Sequence, residues 1–487
     1  MVWLRGCLLV ILALLPLHGG GGAEAATRPN IVVMLTDDQR WDAVGVVQRT
    51  LGDRGRFPWM RAATPNMDRL AAEGFRFRNA FVVSALCSPS RAAFLTGRYN
   101  HENGVADNNT PFPVTNVTYA TLLREAGYRT GYFGKWHMGA QRERPGFDRY
   151  ASYLNQGRYL NASFLVDGTP TPTKGWIDDV STTYATDFVR QSAGRPFLAV
   201  IGFKSPHRVQ VPPQRLAGLF ATASLAPVAN AASYAPYDPS PEPAALATEE
   251  VRNYFRTLVG VDENVGRVLA ALDEAGVAED TVVVFASDNG YFLGEHGIPG
   301  AVVPGDDDGN KRNAYEESVR IPLLLRYPRL GRRGVVVSEL AANIDLAPTL
   351  LELAGVTRPG TIQGRSWVPL LTGQSSSIRD YFFYEYFRES KYTVPTHVAV
   401  RGSRYKLVRY PGHPEWDELF DLASDPAEQR NLIADPGAQR VSRTLGNVLD
   451  ASMAEYRYRV PPYADVAPKG LSVRPREHGA AGRAGTR

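Results

Sequence analysis

The sequence predicts an α/β protein: a mostly parallel β-sheet flanked by helices, then a smaller C-terminal antiparallel sheet with its own helix. Three observations predict it. Short apolar runs rich in β-branched and aromatic residues recur along the chain, and each stops at polar residues of a reactive kind. Stretches of helical periodicity lie between them, the alternation that covers both faces of a parallel sheet. Beyond about residue 373 the pattern changes to closely spaced strand-like pieces. With 487 residues, 44% of them hydrophobic, the chain has material for a sizeable core.

Taken in order, Arg5, the apolar run Leu8–Leu17 and the small-x-small triplet Ala23-Glu24-Ala25 read as a signal peptide over residues 1–25. The apolar run is short for a bilayer span and no later segment reads as transmembrane, so no stable membrane insertion is expected. The expected destination is the periplasm, the exterior or, in a eukaryotic host, the lysosome. A main domain is expected over 27–373. Its first strand, Ile31–Leu35, leads into Thr36-Asp37-Asp38. Thr130–Phe133 leads through Gly134 to Lys135-Trp136-His137, and Phe197–Phe203 to Lys204-Ser205-Pro206-His207. The Pro- and Ala-rich stretch Val211–Ala247 reads as a long surface loop.

Thr248–Ala275 carries Val251, Tyr254, Phe255, Leu258, Val261, Val265, Leu269 and Leu272 at helical spacing. Thr281–Ala286 then ends in Ser287-Asp288-Asn289-Gly290, and Ile344–Gly355 reads as a helix with cap and stop. A small α+β unit is expected over 374–464, with strands near Tyr381–Phe387, Val398–Arg401, Tyr405–Arg409 and Glu418–Leu422 and a helix near Gln439–Arg457. Residues 465–487 read as a disordered basic tail, with five basic against two acidic residues. That is +3 of the chain's net +4. The body is therefore close to neutral and no nucleic-acid partner is expected.

Without the leader, Cys87 is the one cysteine, so no internal disulfide is available and the thiol is either inert core or chemistry. In Cys87-Ser88-Pro89-Ser90-Arg91-Ala92-Ala93-Phe94-Leu95-Thr96-Gly97-Arg98, Ser88 suits a helix N-cap, Pro89 the first helical position and Gly97 the stop. Cys87 then sits at a helix N-terminus, where unpaired N–H groups attract anions, with Arg91 one turn on. In parallel sheets ligands bind beyond the carboxyl ends of the strands. Asp37, Asp38, Lys135, His137, His207, Asp288 and Asn289 all fall there. Asp37, Asp38, Asp288 and Asn289 offer only hard oxygen ligands, which suit Ca²⁺ or, alternatively, Mg²⁺ rather than zinc.

The Cys-x-Pro-x-Arg core with its Leu-Thr-Gly-Arg ending resembles the motif of the formylglycine-dependent sulfatases, in the alkaline phosphatase-like superfamily. The resemblance extends through Asp37-Asp38, the Gly134–His137 block, the Phe203–His207 segment, Ser287–Gly290, Tyr315-Glu316-Glu317 with Arg320–Leu323, and Glu418–Leu422 with Asp425-Pro426. It implies an alkaline phosphatase-like sheet, a catalytic role for 27–373, and hydrolysis of a sulfate ester, on a carbohydrate or glycosaminoglycan, to alcohol and sulfate. It implies oxidation of Cys87 to formylglycine by a formylglycine-generating enzyme, the hydrated aldehyde being the nucleophile. Ca²⁺ would be held by Asp37, Asp38, Asp288, Asn289 and residue 87. Arg91, Lys135 and Lys311 would surround the sulfate charge. His207, with Lys311, would protonate the departing alcohol, and His137 would deprotonate the second hydroxyl of the hydrate to expel sulfate.

One departure stands out. The family's last lysine usually follows the Gly-x-His-Gly stretch closely, whereas here Ile298–Asn310 separates Gly294-Glu295-His296-Gly297 from Lys311. His296 and His101 are further substrate-contact candidates, each with an equally good structural reading. Arg208, Trp136, Arg142, Tyr386, Arg388 and His397 are candidates for the pocket wall. The rival readings are a phosphodiester or phosphonate monoester hydrolase of the same superfamily, a thiol hydrolase using unmodified Cys87, and a non-catalytic binding protein.

Overall fold

A computed structural model describes residues 28–224, 228, 230–231, 235–237, 248–298, 311–389, 392–462 and 464. The expected signal peptide, the basic tail and nearly all of the Ile298–Asn310 insertion lie outside the described residues, as does much of Val211–Ala247. Ten strands form the main sheet: β1 (Asn30–Thr36), β2 (Phe75–Phe81), β3 (Arg129–Lys135), β4 (Arg149–Tyr153), β5 (Ser163–Val166), β6 (Thr169–Pro172), β7 (Phe197–Gly202), β8 (Thr281–Ser287), β9 (Leu323–Arg326) and β10 (Val335–Ala342). Their order is β10-β2-β9-β8-β1-β7-β3-β4-β5-β6. The central run β8-β1-β7-β3-β4 is parallel throughout, and β9, β5 and β6 pair antiparallel.

The central strands are buried on both faces, which is why they read as continuous apolar runs. Alternate residues still divide between two cores. Ile31, Val33, Leu198, Val200, Val282 and Val284 join one core, under the helices Cys87–Thr96, Tyr119–Glu125 and Leu346–Leu353. Val32, Met34, Ala199, Ile201, Val283 and Phe285 face the other, under Pro65–Glu73, Ile177–Gln191 and Thr248–Glu274. The protein is thus α/β, with helices on both faces of a mostly parallel sheet.

A second sheet is antiparallel, in the order β11 (Tyr381–Tyr386), β12 (His397–Gly402), β13 (Tyr405–Arg409), β14 (Glu418–Asp421). The helix Gln439–Glu455 covers it through Leu445 and Leu449, against Phe383, Val398, Val400, Leu407 and Leu419. Phe382 on the opposite face stacks on Phe81 of the main sheet, ring centroids 4.7 Å apart. Among the described residues no helix is long and apolar enough to cross a membrane.

Two local expectations are corrected. Ser88 is not the N-cap: the helix begins at Cys87, with Leu86 in the cap position and no side-chain cap bond. Its hydroxyl instead donates to the carbonyl of His137, a distant acceptor that short-range propensity cannot anticipate. The helix expected over Ile344–Gly355 is a 3₁₀ turn, Asn343–Asp345, followed by an α-helix over Leu346–Leu353. Gly97 does end its helix, at φ 65°, its N–H donating to Ala93 O at 2.9 Å.

Candidate active site

Because β8, β1, β7 and β3 are adjacent and parallel, the residues that follow them meet at one end of the sheet. Backbone bonds lace these ends together: Asp37 N–H donates to Ser205 O at 3.0 Å and Asp288 N–H to Thr36 O at 3.0 Å. Asp38 is held left-handed, φ 71°, with its N–H on Asp288 Oδ1 at 3.1 Å. One oxygen each of Asp37, Asp38 and Asp288 then lies within 4.8 Å of the others, all buried. Asn289 donates Nδ2 to Asp38 Oδ1 at 2.6 Å and Gly290 O at 2.8 Å. Its Oδ1 is buried without a hydrogen-bond partner among the described residues. Three clustered carboxylates and an unsatisfied amide oxygen are a candidate donor set, of the hard oxygen type that suits a divalent cation such as Ca²⁺.

Cys87 opens its helix beside this set. Its Sγ lies 3.3 Å from Asp37 Oδ1 and accepts from Lys311 Nζ at 2.9 Å. Ser88 fixes the turn from both sides, its N–H on Asn108 Oδ1 at 3.0 Å and its hydroxyl on His137 O. Arg91, one turn on, donates Nε to Asp288 Oδ2 at 2.8 Å and Nη1 to Lys135 O at 2.9 Å. Lys135 Nζ pairs with Asp37 and donates to Gln156 Oε1 at 2.5 Å. Lys311 Nζ donates to Asp38 Oδ1 at 2.7 Å. Each carboxylate therefore has a nearest cation of its own, and Arg91 also reaches Asp37, at 4.0 Å.

The electrostatics follow from this pairing. Burial pushes Asp37 up, but Lys135, His207, Arg91 and Lys311 outweigh it and hold the carboxyl well below the usual range. Burial and then the Asp37 charge raise Asp288 to about 7, against the pull of Arg91. A bound divalent cation would remove that repulsion. Burial, with Asp37 behind it, pushes the Cys87 thiol well above its ordinary value. An unmodified thiol here is a poor nucleophile, because only the thiolate attacks.

His137, in the left-handed region at φ 56°, and His207 both have imidazoles held well below the usual value, by burial and then by Lys135. Nδ1 of His137 has no hydrogen-bond partner among the described residues. His207 Nδ1 lies 2.5 Å from Arg208 O, an acceptor that assigns it the proton, and Nε2 is 4.0 Å from Asp38 Oδ2. One oxygen or nitrogen of His207, Asp37 and Cys87 also falls within 4.8 Å of the others, counting sulfur for the cysteine.

A cavity of about 940 Å³ opens over these groups, its wall including His137, Gln156, Lys204, His207, Arg208 and Arg388. Of the sequence candidates, Asp37, Asp38, Cys87, Arg91, Lys135, His137, His207, Asp288, Asn289 and Lys311 thus come together. His101 and His296 do not. His101 is bound between Glu385, at 2.5 Å, and Tyr456 O, at 2.8 Å. His296 stacks on Tyr315 at 3.8 Å and contacts Asn230 at 3.1 Å. Trp136 is core, packed against Phe112 and Tyr132. Sequence reasoning missed Gln156 and left Lys204 without a role. The lysine's place at the end of a strand, three residues before His207, was the available signal.

Comparison with known proteins places the arrangement. The family model described as Sulfatase matches residues 29–356, more than half of the chain. A second, described as N-sulphoglucosamine sulphohydrolase, C-terminal, matches residues 308–455. An N-acetylglucosamine-6-O-sulfatase of Bacteroides thetaiotaomicron is 31% identical, over 89% of this chain and 88% of the relative. An ulvan-active sulfatase of Formosa agariphila is 29% identical, over 89% and 82%. A solved structure in complex with its substrate D-glucosamine-2-N,6-O-disulfate is 30% identical at a TM-score of 0.77, covering 88% of this chain and 98% of that one. The chain belongs to the sulfatase family and is a sulfuric ester hydrolase with the alkaline phosphatase-like fold.

Proposed function

We propose that the enzyme removes a sulfate ester from a carbohydrate, with a 6-O-sulfated glucosamine unit the first substrate to try, through a formylglycine derived from Cys87. The observation that carries the reading is the convergence of one oxygen-only donor set, three paired cations and two neutral imidazoles on residue 87, beneath a cavity large enough for a sugar. The relatives acting on N-acetylglucosamine-6-O-sulfate and on ulvan, and the glucosamine disulfate complex, support the carbohydrate class.

Asp37, Asp38, Asp288 and Asn289 would hold Ca²⁺, with residue 87 alongside. When bound there, the ion supplies Lewis-acid polarisation of a sulfate oxygen. Arg91, Lys135 and Lys311 offset the remaining charge of the group being transferred and are already oriented by their carboxylates. The modification replaces a poorly ionised thiol with a carbon that, hydrated, carries two hydroxyls. One attacks and the other permits release, which a serine or cysteine ester does not allow. His137, kept neutral, is the base that takes the proton from the second hydroxyl. His207 protonates the departing alcohol. An anionic ester entering beside it favours the charged imidazole, so proton uptake accompanies binding.

Mass spectrometry of the peptide containing residue 87, after co-expression with a formylglycine-generating enzyme, tests the reading together with assays on sulfated sugars and aryl phosphodiesters. An aldehyde in active enzyme is expected. Full activity with an intact thiol, or predominant phosphodiester turnover, would overturn it.

A further inference from the structure

Four cations of the cavity wall stand outside the network around residue 87: Arg158, Lys204, Arg208 and Arg388. Lys204 follows β7 and is only 4% exposed, yet it lines the cavity beside His137 and His207. Its ammonium makes no ion pair or side-chain hydrogen bond among the described residues; its one recorded contact is the face of Tyr159, 4.8 Å from the ring centroid. The ring is itself fixed, its hydroxyl donating to His207 O at 2.5 Å. Asp178 gives both carboxylate oxygens to the backbone N–H groups of Lys204 and Ser205, at 2.8 and 3.1 Å, not to the ammonium. The two carboxylates of the cavity wall are engaged elsewhere: Glu389 pairs with Arg312 at 2.8 Å, and Asp107 accepts from Asn109 and Thr110. Burial, then Lys135, lowers Lys204 to about 8, which leaves it mainly charged at neutral pH.

Charge balance says what is missing. Arg91, Lys135 and Lys311 equal Asp37, Asp38 and Asp288 in number, with Arg91 shared between Asp288 and Asp37. A divalent cation would be matched by the sulfate monoester and an ionised nucleophile, and the proton taken up by His207 adds one more positive charge on that side of the cavity. The Lys204 ammonium stands outside those three pairs; Asp37, Asp178 and Asp38 offset part of its desolvation without touching it, and an anion in direct contact would offset more. We propose that Lys204 binds a second acidic group of the substrate, a sulfate or carboxylate on the same saccharide as the ester being cleaved, and so makes the enzyme select polyanionic glycans. This rests on the sulfatase reading above.

The test uses the full-length, formylglycine-containing, calcium-loaded enzyme and its Lys204→Met and Lys204→Arg variants. Three substrates share the 6-O-sulfate: N-acetylglucosamine 6-sulfate, with no second acid; glucosamine 2-N,6-O-disulfate, with a sulfate; and a uronate-containing disaccharide, with a carboxylate. Lys204→Met is expected to lower kcat/KM at least tenfold more on whichever second acid is recognised than on the monosulfate, chiefly through KM, and Lys204→Arg to keep the preference. An equal loss on all three substrates would place Lys204 at the chemistry instead and overturn the proposal, as would no loss. If the variants unfold, product inhibition of the wild type decides. Glucosamine N-sulfate or the desulfated uronate disaccharide should inhibit more strongly than N-acetylglucosamine, and equal inhibition by all three refutes the idea. Wild type inactive on every sulfate ester would sink the sulfatase reading itself, a different result.

Discussion

Lys311 follows the thirteen-residue departure from the family's spacing and stands next to another cation, Arg312, so which of them serves the site is a direct question. The geometry answers for Lys311. Its ammonium lies 2.7 Å from Asp38 Oδ1 and 2.9 Å from Cys87 Sγ. Arg312 instead donates to Glu389 at 2.8 Å and stacks 3.5 Å from the Tyr392 ring centroid. At a separation like the first, a cation and a sulfate oxygen attract by about 6 kcal/mol at an effective dielectric of about 20, part of which desolvation offsets. Loss of one such group should cost about 3–4 kcal/mol in the transition state, roughly 10²–10³ in kcat. Lys311→Met, assayed on a 6-O-sulfated glucosamine after confirming the aldehyde at residue 87, should show that loss with kcat carrying most of it. Arg312→Met should lose far less, through KM. If Lys311→Met stays within threefold of wild type while Arg312→Met loses 10² or more with unchanged thermal unfolding, the assignment and the charge count built on it are wrong.

Three further outcomes are expected. Asn289→Ala removes the buried oxygen that lacks a partner among the described residues, so the calcium concentration needed to raise Tm should increase; an unchanged titration midpoint would exclude Asn289 as a ligand. Asp345 accepts from Arg379 at 2.7 and 2.5 Å and from the backbone of Ala342 and Arg365, tying the approach to β11 to the turn after β10. Asp345→Ala leaves a buried guanidinium unpaired and should cost about 3–5 kcal/mol in urea unfolding; a loss under about 1 kcal/mol would contradict this. Burial raises Asp262 to about 6, although it caps the helix Pro65–Glu73 through Asn66 and Met67. A raised carboxyl contributes stability that is complete below the unfolded value near 4 and lost as pH rises through about 6. The stability of Asp262→Asn relative to wild type should therefore rise over that interval, and a flat or falling difference would refute the shift.

Much of this protein was legible because its signals are local. Ile31–Leu35 and Thr281–Ala286 are short apolar runs whose length and, in the second, β-branched content fit a strand buried on both faces, which places the polar residues behind them at strand ends. Cys87 and Arg91 share a helix face whatever surrounds them. The margins of the sheet were not legible. Phe75–Phe81 and Val335–Ala342 are only partly buried, Thr169–Pro172 contains two prolines, and the antiparallel direction of β9 between β8 and β2 is not written in its own four residues.

By itself the sequence determined the α/β class, the strand ends as the place for chemistry, and the oxygen-only character of the donor set. Each follows from the side chains a segment carries and the period at which it carries them. Only the tertiary structure decided which histidines reach the cavity. His137 and His207 do, while His101 meets Glu385, 284 residues away, and His296 packs on Tyr315. It also decided that Lys204 stands apart from the ion pairs and that Lys311, not Arg312, meets Asp38. The reason is physical. Propensity and amphipathic period act over one or two turns, whereas the charge felt by a buried group sums over residues brought together from strands some 250 positions apart.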